Sequence, residues 1–239
     1  MNRIKRIASL LLLGFILFIS LPISAQNLDG SHLKPYSNKW KMYAVDKDGN
    51  ETLVRIWTDF VQNIKLDGKA YISRVQELYD TEMHLQDLWT NLFERESMRP
   101  YRASQFRTSG DFQYLEFLGM QVETKVQSGD SAPKDQEFKF DKLVHDWTLY
   151  GILLSAIEFK KGASTTLPVF MPQAPNQAGQ LVATVEGKES VTDENGKVHN
   201  TWKVSTNFGL TFWLSKKAPY VIQLVLPGQN GSHNIWRMF

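Results

Sequence analysis

The sequence contains no cysteine, and this absence excludes several classes of protein at once. A chain without a thiol forms no disulfide-linked scaffold, no zinc–thiolate or iron–sulfur site and no cysteine nucleophile. An excess of one charge is also missing, because 27 basic and 25 acidic residues give a net charge of +2. With 42% hydrophobic residues the chain is too apolar to be disordered. It also lacks the repeated long apolar runs of a polytopic helical membrane protein.

The first 25 residues have the pattern of a secretory signal. Three basic side chains within the first six residues precede an apolar stretch over residues 7–21, and Pro22 ends that stretch. The stretch is shorter than the roughly 20 residues that a membrane-spanning helix needs. We therefore expect cleavage after Ala25 rather than an uncleaved anchor, so that the mature chain is not an integral membrane protein.

Removal of this signal changes the charge of the chain. The signal carries three basic residues and no acidic one, so 24 basic residues remain against 25 acidic ones, a net charge of −1. A nearly neutral chain has no electrostatic footprint for nucleic acid, and we expect no nucleic-acid partner. An exported chain without cysteine is typical of a bacterial periplasm or cell surface. Residues 26–38 are predicted to be a flexible N-terminal tail, and residues 39–239 a single β-rich domain.

Most of the mature chain has the alternation of half-buried strands. Val54, Ile56 and Phe60 share one parity, which predicts a strand with one apolar face. Turn pairs such as Asp67-Gly68 and Asn195-Gly196 separate the strand-like runs and are typical of tight hairpins. These patterns predict a mainly β protein built on a strongly curved antiparallel sheet, in the manner of a half-barrel.

One stretch has helical rather than strand periodicity. Leu143, Trp147, Tyr150, Leu154 and Ile157 recur at spacings of three and four residues, which places them on one helical face. Other apolar residues extend this surface nearly around the helix, and such a helix needs cover on most sides. We therefore predict a central helix over about 143–159, wrapped by the curved sheet.

The order of these elements resembles bacterial periplasmic proteins with the fold of the lipoprotein localisation factors LolA and LolB. It resembles more narrowly a family of exported bacterial proteins known only as a domain of unknown function. The residues that carry this resemblance are Met98-Arg99-Pro100, Lys161-Gly162, Val185-Glu186-Gly187, Thr201-Trp202-Lys203 and Phe212-Trp213-Leu214. The resemblance implies export and a curved sheet enclosing a helix, and it implies no reaction.

The search for catalytic chemistry gives mostly negative results. The five histidines form no His-Glu-x-x-His pattern, and no serine lies in Gly-x-Ser-x-Gly. No glycine-rich phosphate loop is present. We therefore predict no catalytic residue, no metal site and no cofactor. Carboxylates such as Glu77 and Asp80 lie close in sequence, which leaves a glycan or peptide hydrolase as a less favoured alternative.

The aromatic residues are the most suggestive positive feature. The chain has seven tryptophans, more than a core of this size needs. They are explained either by packing of helix against sheet or by a cavity for an apolar ligand. The candidate ligand-binding residues are Trp40, Trp57, Trp147, Tyr150, Trp202 and Trp213.

These observations favour a non-catalytic binding module for an apolar or lipid-like ligand. The alternative is a protein-interaction or structural module of the cell envelope. Such a module would bind another envelope protein through a sheet edge or through the basic and aromatic stretch over residues 95–107.

Overall fold

The computed structural model describes residues 28–172 and 177–239, so the predicted signal over residues 1–25 lies outside the described residues. Within these ranges the chain forms fifteen strands and one short α-helix. In chain order they are β1 (Tyr36–Val45), β2 (Glu51–Leu66), β3 (Lys69–Tyr79), β4 (Leu85–Glu94), β5 (Pro100–Arg107), β6 (Phe112–Leu118), β7 (Gln121–Gln127), β8 (Lys134–Lys139), β9 (His145–Asp146), α1 (Tyr150–Ser155), β10 (Ser164–Phe170), β11 (Ala178–Thr192), β12 (Val198–Thr206), β13 (Thr211–Leu214), β14 (Val221–Pro227) and β15 (His233–Met238). The prediction of a mainly β protein is confirmed.

All fifteen strands belong to one sheet. In the first half of the sheet the strands follow one another from β8 to β1. Strand β1 then pairs with β15, and the second half runs in order through β14, β13, β12, β11 and β10 to β9. Neighbouring strands are antiparallel except β9 and β10, which are parallel. The pairing of β1 with β15 joins the two halves of the chain. The sheet is not closed by hydrogen bonds, because β8 and β9 are its two ends.

Short turns determine the register of the meander. Asp67 and Gly68 form the two-residue turn between β2 and β3, with φ of 47° and 79°. Positive φ at both turn positions is the geometry of a type I′ turn, whose twist matches that of the strands. The predicted hairpin at this dipeptide is confirmed, and it places Leu66 opposite Lys69.

The two ends of the sheet meet through a small apolar cluster. Phe170 of β10 is fully buried and belongs to one cluster with Ala103, Leu115 and Val122 from the other end of the sheet. Its ring lies 6.2 Å from that of Phe117 in an edge-to-face arrangement. The sheet therefore bends until the inner faces of its two ends share one core.

The predicted helix over 143–159 is wrong in its length. His145–Asp146 is the short strand β9, Trp147–Leu149 is a turn of 3-10 helix, and α1 has only six residues. The Asp146 carboxylate accepts a hydrogen bond of 2.9 Å from the Thr148 backbone N–H, so the helical segment begins there rather than earlier. The apolar residues of this segment recur because the segment is buried on most sides, and not because the helix is long. Wrapping of the sheet around this short helix is not shown.

Close packing of α1 against the sheet depends on a glycine. A Cβ atom at Gly151 would lie 3.0 Å from Val221 Cγ2 and 3.6 Å from Phe212 Cε1. The helix backbone therefore approaches β13 and β14 more closely than a larger residue would allow. None of the helices in the described ranges is long and apolar enough to cross a lipid bilayer.

The N-terminal segment differs from the predicted flexible tail over 26–38. From residue 28 onwards it packs on the domain, with Leu33 fully buried and Leu28 nearly so. The Gly30 N–H donates a 3.0 Å hydrogen bond to the Glu96 carbonyl, and β1 already begins at Tyr36.

Candidate functional site

A cavity lined by aromatic rings lies between the inner face of β1–β4, the start of α1 and the strands β13–β15. Its volume is about 40 Å³, which admits a few water molecules or a polar group of similar size. Pockets that enclose a whole small molecule have volumes of roughly 300–1,000 Å³. The aromatic residues of its wall are Trp40, Trp57, Trp89, Tyr150, Phe212 and Trp236.

Strand register brings the tryptophans together. Trp40 of β1 lies opposite Trp57 of β2, and both point to the inner face. The ring of Trp57 lies 6.2 Å from that of Trp89 on β4. It lies 6.0 Å from that of Trp236 on β15, with the ring planes nearly perpendicular. Trp57 is therefore the centre of an aromatic cluster contributed by strands that are far apart in sequence.

Three indole N–H groups of this cluster have no hydrogen-bond partner among the described residues. They are the Nε1 atoms of Trp57, Trp89 and Trp236, and each is buried. The fourth indole, that of Trp40, donates a 3.1 Å hydrogen bond to the Val221 carbonyl. An unpaired buried donor costs about 1–3 kcal/mol, so three of them around one cavity are unusual in a core built only for stability.

A buried ion pair adjoins the aromatic cluster. Arg74, which also lines the cavity, donates from Nε and Nη2 to the two carboxylate oxygens of Asp59, at 2.9 and 3.2 Å. The two side chains are only 6% and 1% exposed. Burial alone would lower the pKa of Arg74, but the Asp59 carboxylate outweighs it and the pKa is raised. Because Asp59 neutralises Arg74, the pair adds no net charge to the cavity.

Hydrogen bonds extend this polar network to both sides. The Tyr36 hydroxyl donates to Asp59 at 2.9 Å, and burial together with this carboxylate raises the pKa of Tyr36 well above its ordinary value. Asn91 Nδ2 donates to Asp146 at 2.8 Å. Burial also raises the pKa of Asp146. No group of three histidine, aspartate or glutamate side chains in the described ranges is placed to hold a metal ion.

The structure brings three of the six predicted site residues together. Trp40, Trp57 and Tyr150 line the cavity, and the Trp147 ring lies 5.8 Å from Tyr150 just outside the lining. The remaining two residues lie elsewhere.

Trp202 and Trp213 lie outside the cavity. The Trp202 ring stacks on that of Phe159, at 5.9 Å and with an interplanar angle of 11°. Trp213 Nε1 donates to the Glu189 carboxylate at 2.9 Å. Alternation along a strand shows which residues share a face, but it does not show which face or which part of that face lines the cavity. The prediction for Trp202 and Trp213 depends on alternation alone.

Sequence reasoning missed Trp89, Trp236 and Arg74. Arg74 shares its strand parity with Ile72 and Leu78, so it is a charged residue in the middle of an apolar face. A charge at such a position is a usable signal, because a buried charge requires a partner. Nothing in the local sequence around Trp89 or Trp236 indicates their contact with Trp57, because that contact depends on the order of the strands in the sheet.

The basic stretch over residues 95–107 is largely paired within the chain. Arg102 Nη2 lies 2.8 Å from the Glu116 carboxylate, and Arg107 Nε lies 3.1 Å from that of Asp87. Arg95 Nη2 donates to the Ser31 carbonyl at 2.8 Å. These arginines are therefore occupied by contacts within the domain.

The fold and the site together define a class of β-rich protein with one long antiparallel sheet and an aromatic internal cavity. Residues 36–230 match the family DUF3108, described as a protein of unknown function, and the chain belongs to this family. The predicted likeness to a family without an assigned function is confirmed, whereas the localisation-factor fold is not confirmed. A comparison with curated proteins finds no match.

The solved structures that are similar to the chain include the following three. A beta-barrel-like protein of the domain of unknown function DUF1849 from Brucella abortus has a TM-score of 0.41 and 10% identity, covering 90% of this chain and 98% of that one. A protein described as exported, with a YmcC-like fold, from Bacteroides fragilis has a TM-score of 0.34 and 9% identity, over 85% and 94%. A protein described as a lipoprotein from Parabacteroides distasonis has a TM-score of 0.35 and 9% identity, over 90% and 99%.

Proposed function

We propose that the protein is a non-catalytic binding module whose cavity receives the polar end of an apolar, lipid-like ligand. The observation that carries this proposal is the set of three unpaired indole N–H groups in the aromatic cluster that lines the cavity. Ligand sites combine an apolar wall with a few polar groups that orient the ligand. Here the polar groups are hydrogen-bond donors, so the ligand supplies an acceptor.

The charge and size of the cavity restrict that acceptor. Asp59 already neutralises Arg74, so an uncharged carbonyl oxygen suits the cavity better than a free carboxylate. A volume of about 40 Å³ admits a carbonyl group but not an acyl chain. The chain of the ligand would then lie against Trp57 and Trp89, which are only partly buried. An acyl ester has this combination of groups.

The place of action in this proposal is the envelope of a bacterial cell. The predicted signal supports export to the periplasm or the cell surface. The module works without a cofactor, a nucleic-acid partner or a membrane span after cleavage. An interaction with another envelope protein is the alternative function.

The test compares two lipids that differ in one carbonyl group. The mature chain is titrated with 1-decanoylglycerol, an ester, and with 1-O-decylglycerol, the matching ether, and tryptophan fluorescence is followed. We expect the ester to bind about two- to tenfold more tightly, which corresponds to one additional hydrogen bond.

Matched variants locate the binding site. Trp89→Phe removes one of the three unpaired donors and should reduce the preference for the ester. Trp213→Phe removes an indole N–H that is paired with Glu189 outside the cavity, and it should leave the preference unchanged. If neither lipid binds the wild-type chain, and native mass spectrometry of the protein recovered without detergent shows no added mass, the binding proposal is withdrawn in favour of the interaction module.

A further inference from the structure

A second surface, away from the aromatic cavity, concentrates positive charge around Trp202. Lys188 of β11, Lys216 and Lys217 of the β13–β14 loop and Trp202 of β12 line an open groove of about 600 Å³. All three lysines are exposed. We call these four residues the lysine surface.

Contacts with the ring of Trp202 hold this surface together. The Nζ atoms of Lys188 and Lys216 each lie 5.6 Å from the centre of the ring. Strand β11 and the β13–β14 loop, which are distant in sequence, therefore place ammonium groups around one indole ring.

Within the described ranges, the three lysines form no ion pair with a carboxylate. Glu189, at the edge of the groove, accepts a hydrogen bond from Trp213 Nε1 and lies 3.4 Å from Lys203 Nζ. The chain after the predicted signal is nearly neutral, so this charge is a local accumulation. Ammonium groups that share one groove repel each other and are stabilised by an anionic partner.

We propose that the lysine surface docks the protein on a bilayer of anionic phospholipid. The lysines are exposed and spread over an open groove, a geometry that suits an array of phosphates more than one enclosed ion. Trp202, whose ring stacks on that of Phe159, adds an amphipathic indole at the same place, and such rings favour the headgroup region. This inference is independent of the ligand in the aromatic cavity, because it uses different residues.

Vesicle co-sedimentation tests the docking surface. The mature chain is mixed with vesicles of phosphatidylcholine alone, or with one third phosphatidylglycerol, at an ionic strength of about 0.1 M. We expect binding only to the anionic vesicles and release at about 1 M salt. The variant Lys188→Gln, Lys216→Gln, Lys217→Gln should bind about a hundredfold more weakly, since each lysine near an anionic surface contributes roughly a fivefold gain.

A control variant with the same loss of charge separates this surface from net charge. Lys65, Lys69 and Lys134 are exposed lysines outside the groove, and their triple change to Gln should reduce binding much less. Equal losses in the two triple variants, or no binding of the wild-type chain to anionic vesicles, would overturn the proposal. Release by millimolar glycerol 1-phosphate would overturn it too, because it would indicate a site for a soluble phosphate. Circular dichroism establishes that both variants are folded.

Discussion

The two halves of the sheet bury different kinds of side chain. Among the described residues, the buried side chains of β10–β14 are apolar apart from Thr165 and Thr201, and they include Leu181, Val185, Val204 and Phe212. The inner face of β1–β4 also alternates, but its buried positions include polar groups. They are Asn38, Asp59, Arg74, Gln76, Asp87 and Asn91.

The difference in buried side chains separates the residues that stabilise the fold from those that are suited to binding a ligand. The apolar half stabilises the fold mainly through burial. The other half buries an ion pair and the unpaired indole N–H groups of Trp57 and Trp89, with that of Trp236 facing them from β15. Such groups contribute less to stability than apolar side chains of the same size. A sequence that retains these groups within one sheet retains them for a reason other than stability, and the cavity they surround is the candidate reason.

The largest expected effect is the loss of one partner of the buried ion pair. Arg74→Met leaves the Asp59 carboxylate buried without its counter-ion, and we expect a loss of about 3–5 kcal/mol in the free energy of unfolding. Urea denaturation measures this loss. The double variant Arg74→Met, Asp59→Leu should regain most of the stability, because an apolar pair of similar volume replaces the ions.

The double variant also sharpens the comparison between the two halves. If it is as stable as the wild type but no longer prefers the ester, the polar half is retained for binding. A double variant that remains as unstable as Arg74→Met alone would show that the pair is needed for the fold itself.

A truncation in the apolar core should affect stability alone. Leu153 of α1 is fully buried, and Leu153→Ala should lower the free energy of unfolding by about 2–5 kcal/mol through lost burial and a new cavity. The relative affinities for the ester and the ether lipid should stay as in the wild type. A selective loss of ester binding would show that the two regions are coupled.

A conservative change in the aromatic cluster should have the opposite effect, with weaker ester binding and little change in stability. Trp236→Phe removes a buried N–H without a partner and keeps an aromatic ring, so the gain and the lost packing nearly cancel. We expect a change within about 1 kcal/mol in urea denaturation, together with weaker ester binding. A loss as large as that of Leu153→Ala would mean that the indole N–H has a partner in the folded protein.

The smallest expected effect is a dependence of the free energy of unfolding on pH. It comes from His145 of β9, the strand at one end of the sheet. Burial lowers the pKa of His145 below its ordinary value of 6.5, so the folded protein keeps this histidine neutral. As the pH falls below about 6.5, the unfolded chain takes up the proton first, and stability decreases towards the folded pKa.

His145→Gln should flatten this part of the stability curve between about pH 7.5 and pH 5. Urea midpoints at a series of pH values provide the measurement. An unchanged slope in the variant would assign the pH dependence to other groups. Asp146, whose raised pKa has the opposite sign of effect, is present in both proteins.

The outcome at particular residues shows how far local pattern reasoning reaches. Asp67-Gly68 predicts its turn because positive φ at both positions is a local requirement. The helix over 143–159 was predicted too long, because complete burial and helical periodicity give the same apolar pattern over a short stretch. Trp89 and Trp236 were missed because their contact with Trp57 depends on which strands are neighbours.

The sequence by itself determined the class of the fold. Alternation and turn chemistry are local properties, and they are sufficient to predict strands, hairpins and a mainly β domain. Only the tertiary structure decided which residues meet. The pairing of β1 with β15 and the bend of the sheet bring Trp57, Trp236 and Arg74 to one cavity, and such long-range contacts leave no periodic trace in the chain.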